Sequence, residues 1–372
     1  MKKSTLKIIK DDPWLAPFEP AIAGRHADAL HKIDELTDGK MSLSDWANAY
    51  NYYGLHRTAD GGWVMREWAP NATRIVLVGD FCDWKECVHY EMRRLPDAEG
   101  NWELTLPGRA LHHGQLFKLH VYWDGGMGER IPAYATRVVQ DEKTGIFSAQ
   151  VWSPDEPYRP RNTGFKPNTA PLLIYECHIG MAEDKEGVGT YDEFRTKVLP
   201  RIAADGYNAI QIMAIQEHPY YGSFGYHVSS FYAASSRFGT PDDLRRLIDD
   251  AHGRGIAVIM DIVHSHAVKN EVEGLGRFDG SYNQYFYGDD RREHPAWDSL
   301  CFDYGKNEVI NFLLSNCKFW LEEYGFDGFR FDGVTSMLYY NHGLGQAFGS
   351  YDDYYNGGQD TNAITYLTLA NV

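Results

Sequence analysis

The sequence predicts a multidomain protein in which an N-terminal β-sandwich precedes an incomplete (β/α)8 TIM barrel. Three observations support this prediction. Short runs of alternating hydrophobicity occupy residues 61–153, strand and helix patterns alternate after Pro171, and polar side chains follow the ends of the later strands. With 372 residues, of which 43% are hydrophobic, the chain is long enough to form two or three domains.

Four segments can be separated along the chain. Residues 1–60 hold few apolar residues and predict a helical arm that packs on its neighbouring segments, whereas residues 61–153 predict the sandwich. Residues 154–171 contain five prolines and predict a linker, and residues 172–372 predict the N-terminal half of the barrel. The clearest sandwich strands are Arg74 to Val78, Asn101 to Leu106 and Leu116 to Trp123.

About four strand–helix units come after the linker. The predicted strands are Leu172 to Cys177, Asn208 to Ile215, Ile256 to Val263 and Phe326 to Phe331. The predicted helices are Thr190 to Asp205, one that begins at Thr240, Asn307 to Tyr324, and one near the C-terminus. A doubly wound sheet fits this order too, but polar residues at the strand ends and the lack of a glycine-rich phosphate loop favour the barrel. A barrel needs about 250 residues, so we expect the chain to end in the fourth helix.

The composition restricts the classes of partner. The formal net charge is −16, from 52 acidic and 36 basic residues, and this field repels nucleic acid and anionic lipid. A neutral, hydroxyl-rich ligand is compatible with it. The five cysteines form no Cys-x-x-Cys pair, which argues against structural zinc or a disulfide framework. We find no signal-peptide pattern and no apolar run of membrane-spanning length, so we expect a cytoplasmic location.

Two groups of polar residues come after predicted strands. Residues 328–333 read GFRFDG, and alternation places Arg330 on the same side of the strand as Asp332. The guanidinium would keep the carboxylate ionised, as the nucleophile of a retaining glycosidase must be, although a structural Arg–Asp pair fits equally well. Residues 261–266 read DIVHSH, and these side chains could bind sugar hydroxyls, ligate a metal or satisfy loop backbone.

Together these two stretches resemble signature regions of the α-amylase family, glycoside hydrolase family 13. Residues 175–181 (YECHIGM), 223–228 (SFGYHV) and 235–244 (SSRFGTPDDL) narrow the resemblance to 1,4-α-glucan branching enzymes of the glycogen and starch type. The resemblance implies that α-1,4 bonds are cleaved and the glucan segment is passed to a 6-hydroxyl to form α-1,6 branches. It also implies an α-glucan partner such as glycogen, amylose or amylopectin-like chains, with neither metal nor organic cofactor.

The resemblance also assigns roles to residues at the strand ends. It implies that Asp332 is the nucleophile that forms a glucosyl-enzyme and that Arg330 is its charge partner. Asp261 and His266 would contact the sugar on the non-reducing side of the cleaved bond, and Tyr226 would stack beneath that sugar ring. The role of His264 stays open.

The sandwich resembles glycogen-binding carbohydrate modules at residues 79–84, which read GDFCDW. Trp84 and Trp123 are therefore candidate glucan contacts. A tryptophan in a sandwich is more often a packing residue, so we favour a structural role for both.

The family's general acid, a glutamate after the fifth strand, and a later His–Asp pair would both lie beyond Val372. We therefore expect the chain to be inactive alone. Two alternatives stay open: an α-amylase-type or debranching glucan hydrolase, and a non-catalytic glucan-binding pseudoenzyme.

Overall fold

The computed structural model describes residues 6–96, 99–167 and 171–372. The first five residues of the predicted arm and residues 168–170 of the predicted linker lie outside them. The chain forms two compact units. One comprises Met1–Ala49, Asp303–Cys317 and Gly333–Val372, and the other comprises Tyr50–Phe302 and Lys318–Asp332.

The strands fall into two groups along the chain. The first group is β1 (Gly54–Arg57), β2 (Trp63–Trp68), β3 (Arg74–Gly79), β4 (Arg93–Arg94), β5 (Asn101–Leu106), β6 (Leu116–Trp123), β7 (Gly126–Arg130), β8 (Val138–Gln140) and β9 (Phe147–Gln150). The second is β10 (Ile174–Cys177), β11 (Ala209–Ile212), β12 (Gln216–Glu217), β13 (Ser230–Ala234), β14 (Ala257–Ile262), β15 (Ala267–Val268), β16 (Glu293–His294), β17 (Ser299–Leu300) and β18 (Gly328–Phe331).

The α-helices of the described residues lie mainly in the first and last thirds of the chain. They are α1 (Lys7–Asp11), α2 (Glu19–Thr37), α3 (Leu43–Trp46), α4 (Tyr191–Glu193), α5 (Leu199–Ala204), α6 (Pro241–His252), α7 (Asn307–Phe319), α8 (Val334–Leu338) and α9 (Thr361–Leu369). Two π-helical segments, Phe194–Val198 and Trp320–Tyr324, interrupt the regular pattern. Within these residues, no helix has the length and apolar character needed to cross a membrane.

The first group of strands forms the predicted β-sandwich. One antiparallel sheet has the order β1-β2-β5-β4, and the other has the order β3-β6-β9-β8 with β7 added to β6. The boundary predicted at residue 60 is wrong, because β1 pairs with β2 in a hairpin and belongs to the sandwich. Leu55 is the one large aliphatic residue of β1, so this short strand shows too little alternation to be recognised.

The second group contains the predicted parallel sheet. Its strand order, β10-β11-β14-β18, follows the chain order, as the first four strands of a barrel do. Strands β11 and β14 are largely buried, as covered parallel strands should be. Strands β10 and β18 form the edges of this sheet, and Ile174 and Tyr175 of β10 are exposed.

The helix next to β14 forms as its sequence predicts. Thr240 caps α6 in a capping box with Asp243, and Pro241 occupies the first helical turn. Its apolar face is buried at Leu244, Leu247, Ile248 and Ala251.

The two predicted helices that contain π segments differ from the expectation. Thr190 caps the first as predicted, but the π segment Phe194–Val198 precedes α5, where Pro200 lacks the backbone N–H that a continuous α-helix would use. In the second, Leu321 continues the spacing of the apolar residues that form the buried face, yet it is 40% exposed. The extra residue per turn of the π segment rotates Leu321 away from that face.

The predicted arm belongs to the smaller unit only as far as Ala49. Helix α2 packs against α9, and the side chain of Lys32 in α2 donates to Asn307 Oδ1 at 3.1 Å. Tyr304 stacks on Tyr366 with ring centroids 5.4 Å apart. Residues 172–372 therefore do not form a single unit, because residues 303–317 and 333–372 group with the arm.

Candidate active site

The register of β14 and β18 places the predicted site residues opposite one another. Asp261 pairs with Arg330, and Ile262 pairs with Phe331. The ladder continues one step further, because Asp332 N donates to Ile262 O at 2.9 Å. Since side chains alternate along a strand, Asp261, Arg330 and Asp332 share one side of the sheet at its carboxyl end.

One guanidinium nitrogen joins the two carboxylates. Arg330 Nη1 lies 2.6 Å from Asp332 Oδ1, 2.9 Å from Asp261 Oδ1 and 3.1 Å from Asp261 Oδ2. The Asp332 side chain is 19% exposed, whereas that of Asp261 is fully buried. Among the described residues, none donates a hydrogen bond to Asp332 Oδ2, so this oxygen is available to a ligand.

Burial and hydrogen bonding oppose each other at Asp261. Burial raises the pKa of Asp261, and the hydrogen bonds from Arg330 and Tyr226 counteract part of that rise. Burial lowers the pKa of Arg330, but its bonds to Asp261 and then Asp332 outweigh burial and hold the pKa above its usual value. The guanidinium therefore stays charged and provides a fixed positive charge beside Asp332.

Tyr226 reaches the buried carboxylate from the segment after β12. Its hydroxyl donates to Asp261 Oδ2 at 2.9 Å, and burial together with the Asp261 charge raises the pKa of this hydroxyl. The preceding Gly225 has a φ of 92°, and a Cβ there would overlap the carbonyl oxygen of Ala214. Only glycine fits this turn, which directs the tyrosine toward Asp261.

His266 is held within the protein by both ring nitrogens. Its Nε2 lies 2.8 Å from the carbonyl oxygen of Tyr226, which can only accept, so Nε2 carries the hydrogen. The other nitrogen, Nδ1, lies 2.9 Å from Ser265 Oγ. Burial lowers the pKa of His266 to about 4, so the ring is neutral near pH 7. His266 thus positions Tyr226, and its predicted sugar contact stays a prediction.

His264 is fully buried and lies among aromatic side chains. Its ring centroid is 5.8 Å from that of Phe331 and 6.4 Å from that of Phe231. His264 therefore packs in the protein interior, and its role in the site stays open.

The sequence-based prediction did not include a second set of buried polar residues. Glu217 accepts hydrogen bonds from Ser235 Oγ at 3.0 Å, Ser236 N at 2.7 Å and Ser236 Oγ at 2.8 Å, and Arg237 lies 3.5 Å away. Gln216 Oε1 accepts from Val263 N at 3.3 Å, which steadies the end of β14. The signal was present: Gln216-Glu217-His218 comes after an apolar strand, as Asp261 to His266 does.

The two candidate tryptophans of the sandwich differ in environment. Trp123 lies close to Arg130 and Arg277, whose guanidinium carbons are 5.3 and 5.8 Å from the ring centroid, and Gly280 packs directly on the ring. Trp84 is partly exposed, with Nε1 donating to Asp80 Oδ1 at 3.0 Å. These contacts favour packing for Trp123 and leave Trp84 as a candidate glucan contact.

The described residues contain no cluster of three or more His, Cys, Asp or Glu side chains arranged to hold a metal ion. All five cysteines are free thiols.

Comparison with known proteins identifies both regions of the chain. Residues 52–135 match carbohydrate-binding module 48 (isoamylase N-terminal domain), and residues 183–300 match the α-amylase catalytic domain. The first match includes β1, in agreement with the corrected sandwich boundary. Residues 183–300 therefore belong to the α-amylase catalytic-domain family.

Within the family, the chain is similar to 1,4-α-glucan-branching enzymes. It is 49% identical to the Yarrowia lipolytica enzyme over 99% of this chain and 54% of that protein. It is 44% identical to the Dictyostelium discoideum enzyme over 98% of this chain and 54% of that protein. It is 43% identical to the Equus caballus enzyme over 98% of this chain and 53% of that protein. The chain therefore spans about half the length of the curated relatives it matches.

Two solved structures share the fold. The catalytic module of the glycogen-degrading pneumococcal virulence factor SpuA is 17% identical, with a TM-score of 0.62 over 76% of this chain and 46% of that chain. A pullulanase from Bacillus acidopullulyticus is 19% identical, with a TM-score of 0.62 over 76% of this chain and 38% of that chain. At these identities the likeness supports the barrel fold alone.

Proposed function

We propose that this chain supplies the nucleophile half of a retaining 1,4-α-glucan branching site. The observation that carries the proposal is the Asp332 carboxylate at the end of β18. One of its oxygens is held by Arg330 and the other accepts no bond from the described residues. This arrangement suits a carboxylate that attacks carbon, because one oxygen is held in place while the other is available to the substrate.

In the proposed reaction, Asp332 Oδ2 attacks the anomeric carbon of an α-1,4-linked glucose. The bond from C1 to the leaving O4 breaks, and O4 takes a proton from a general acid. The resulting glucosyl ester on Asp332 is then attacked by the 6-hydroxyl of another glucan chain, whose proton passes to the same acid. Arg330 stabilises Asp332 as the leaving carboxylate in this second step.

Asp261 is connected to the proposed nucleophile through Arg330, which bonds to both carboxylates. Its geometry nevertheless argues against the role of general acid. Both of its oxygens accept hydrogen bonds from Arg330, and one also accepts from Tyr226. Because the side chain is fully buried, it cannot reach a leaving oxygen. We therefore assign Asp261 to holding Arg330 and Tyr226. That the acid is a glutamate beyond Val372 stays an expectation from the resemblance to the family.

The α-glucan substrate is inferred from the relatives and from the module matched by the sandwich. Glycogen, amylose and amylopectin-like chains are neutral polymers, which an acidic protein of net charge −16 does not repel. Cytoplasmic location and the absence of membrane association stay predictions of the sequence.

The test is a product analysis on the full-length gene product that carries this chain. With amylose as substrate, a branching enzyme forms α-1,6 linkages, visible by proton NMR, while the number of reducing ends stays constant. A rise in reducing ends without α-1,6 linkages would instead identify a hydrolase. If neither changes while glucan still binds, the pseudoenzyme alternative is correct.

A further inference from the structure

Trp297 lies in the turn between β16 and β17. Strand β17 pairs with β16 on one side and with β15, which comes after the DIVHSH segment, on the other. Pro295 restricts the backbone of the turn, and Ala296 N donates to His294 Nδ1 at 3.2 Å. The backbone on both sides of Trp297 is therefore held in paired strands.

One face of the Trp297 ring is covered by a buried histidine. The rings of His294 and Trp297 stack at 4.0 Å with an interplanar angle of 6°, and His294 is 2% exposed. Trp297 nevertheless stays 37% exposed. Tryptophans that serve only packing in this protein, such as Trp102 and Trp320, are almost completely buried. An indole that is stacked on one face and partly exposed elsewhere can receive a ligand on its exposed part.

The Trp297 ring lies next to His266 of the candidate site. The centroids of Trp297 and His266 are 5.2 Å apart. His266 in turn donates to the carbonyl oxygen of Tyr226, whose hydroxyl is bonded to Asp261. The indole thus lies one side chain away from the tyrosine proposed to contact sugar.

We propose that Trp297 is a sugar-binding platform for a glucose unit next to the one at Tyr226, and that it makes the site bind longer glucan chains more tightly than short ones. This inference rests on the proposed function, because it takes Tyr226 as a sugar contact. The axial C–H bonds of a glucose ring pack well on a flat indole, and the stack with His294 means that little side-chain freedom is lost on binding.

The test measures binding in the full-length gene product in which Asp332→Asn has removed turnover. Affinity for maltotriose, maltopentaose and maltoheptaose is measured by calorimetry with and without Trp297→Ala. We expect an affinity for maltoheptaose about tenfold weaker, corresponding to the loss of one stacked ring. The loss should be smaller for maltotriose, whereas Trp297→Phe should retain most of the affinity.

Trp14→Ala is the matched control, because Trp14 is 79% exposed and lies in the other compact unit. It should leave affinity unchanged. If Trp297→Ala does not fold, Trp297→Leu keeps an apolar side chain without a ring and makes the same comparison. Unchanged maltoheptaose affinity, or an equal loss for all three sugars, overturns the proposal.

This result is separable from the fate of the proposed function. If the wild-type protein forms α-1,6 linkages but Trp297→Ala leaves maltoheptaose binding unchanged, only the platform proposal is rejected. Chain-length-dependent loss of binding in a protein that forms no α-1,6 linkages supports the platform and rejects the branching reaction.

Discussion

At the scale of single residues, the candidate site depends on how one arginine distributes its hydrogen bonds. Arg330 contacts Asp261 and Asp332 with the same nitrogen, so the buried carboxylate fixes the cation that serves the accessible one. A lysine offers a flexible point charge in place of a planar guanidinium held by several bonds.

We therefore expect Arg330→Lys to lower kcat of the full-length gene product by at least tenfold and to change KM little. The charge is retained, but it is no longer held beside Asp332 in a fixed geometry. Steady-state branching kinetics on amylose measure this, and Arg254→Lys, away from the site, is the matched control. Wild-type kcat in Arg330→Lys would show that the guanidinium geometry is irrelevant.

Tyr226 offers a second test at this scale. Tyr226→Phe keeps the ring but removes the hydroxyl that donates to Asp261, so kcat/KM should fall by roughly tenfold to a hundredfold, as for a lost bond to a charged group. Tyr220→Phe, at an exposed tyrosine of the same loop, should leave kcat/KM unchanged. Equal kinetics for the two variants would contradict the proposed contact.

At the scale of elements, buried Glu217 fastens β12 to residues 235–237. Arg237 is mostly buried beside it, so removal of the carboxylate leaves a buried cation with a weaker set of partners. Glu217→Ala should lower the free energy of unfolding by about 3 kcal/mol.

Denaturant unfolding of the full-length gene product measures this loss. Lys40→Ala is the control, because Lys40 and Asp38 form an exposed ion pair worth at most about 1 kcal/mol. A change below about 1 kcal/mol in Glu217→Ala, no larger than an exposed pair contributes, would mean that the carboxylate does not hold this segment.

The same scale shows which elements a sequence can reveal. Strands β5 and β6 were predicted with their observed bounds, and Thr240 marked the start of α6, because alternation and capping are local properties. The π segment after α7 was not predictable, since no local pattern distinguishes one extra residue per turn. The pairing of Asp261 with Arg330 follows from the register of two strands that the sequence predicted. The stack of Trp297 on His294 was not predicted, because the short hairpin that carries it shows little alternation of apolar and polar residues.

At the scale of the whole molecule, stability should depend on pH through Glu67 of β2. This side chain is fully buried, its oxygens accept from Trp68 N and Ala133 N, and burial raises its pKa from 4.5 to about 8. The folded state therefore binds the proton more tightly than the unfolded state. The contribution to stability is complete below about pH 4.5 and is lost as the pH rises through about 8.

Glu67→Gln should flatten this dependence between about pH 5 and 8, because the amide does not titrate. Its stability near the acid end of that range should be lower than that of the wild type, since one acceptor oxygen becomes a donor. Melting temperatures across the pH range measure both effects. An unchanged slope in the variant would assign the pH dependence to other groups.

Covalent bonding of Asp332 to the donor sugar can be tested by trapping the glycosyl-enzyme. The full-length gene product is incubated with a fluorinated maltosyl fluoride, which forms a glycosyl-enzyme quickly and releases it slowly. Peptide mass spectrometry then locates the adduct. We predict one maltosyl group, carrying the fluorine, on Asp332. An adduct on a different carboxylate, or a competent enzyme that forms none, would contradict the account.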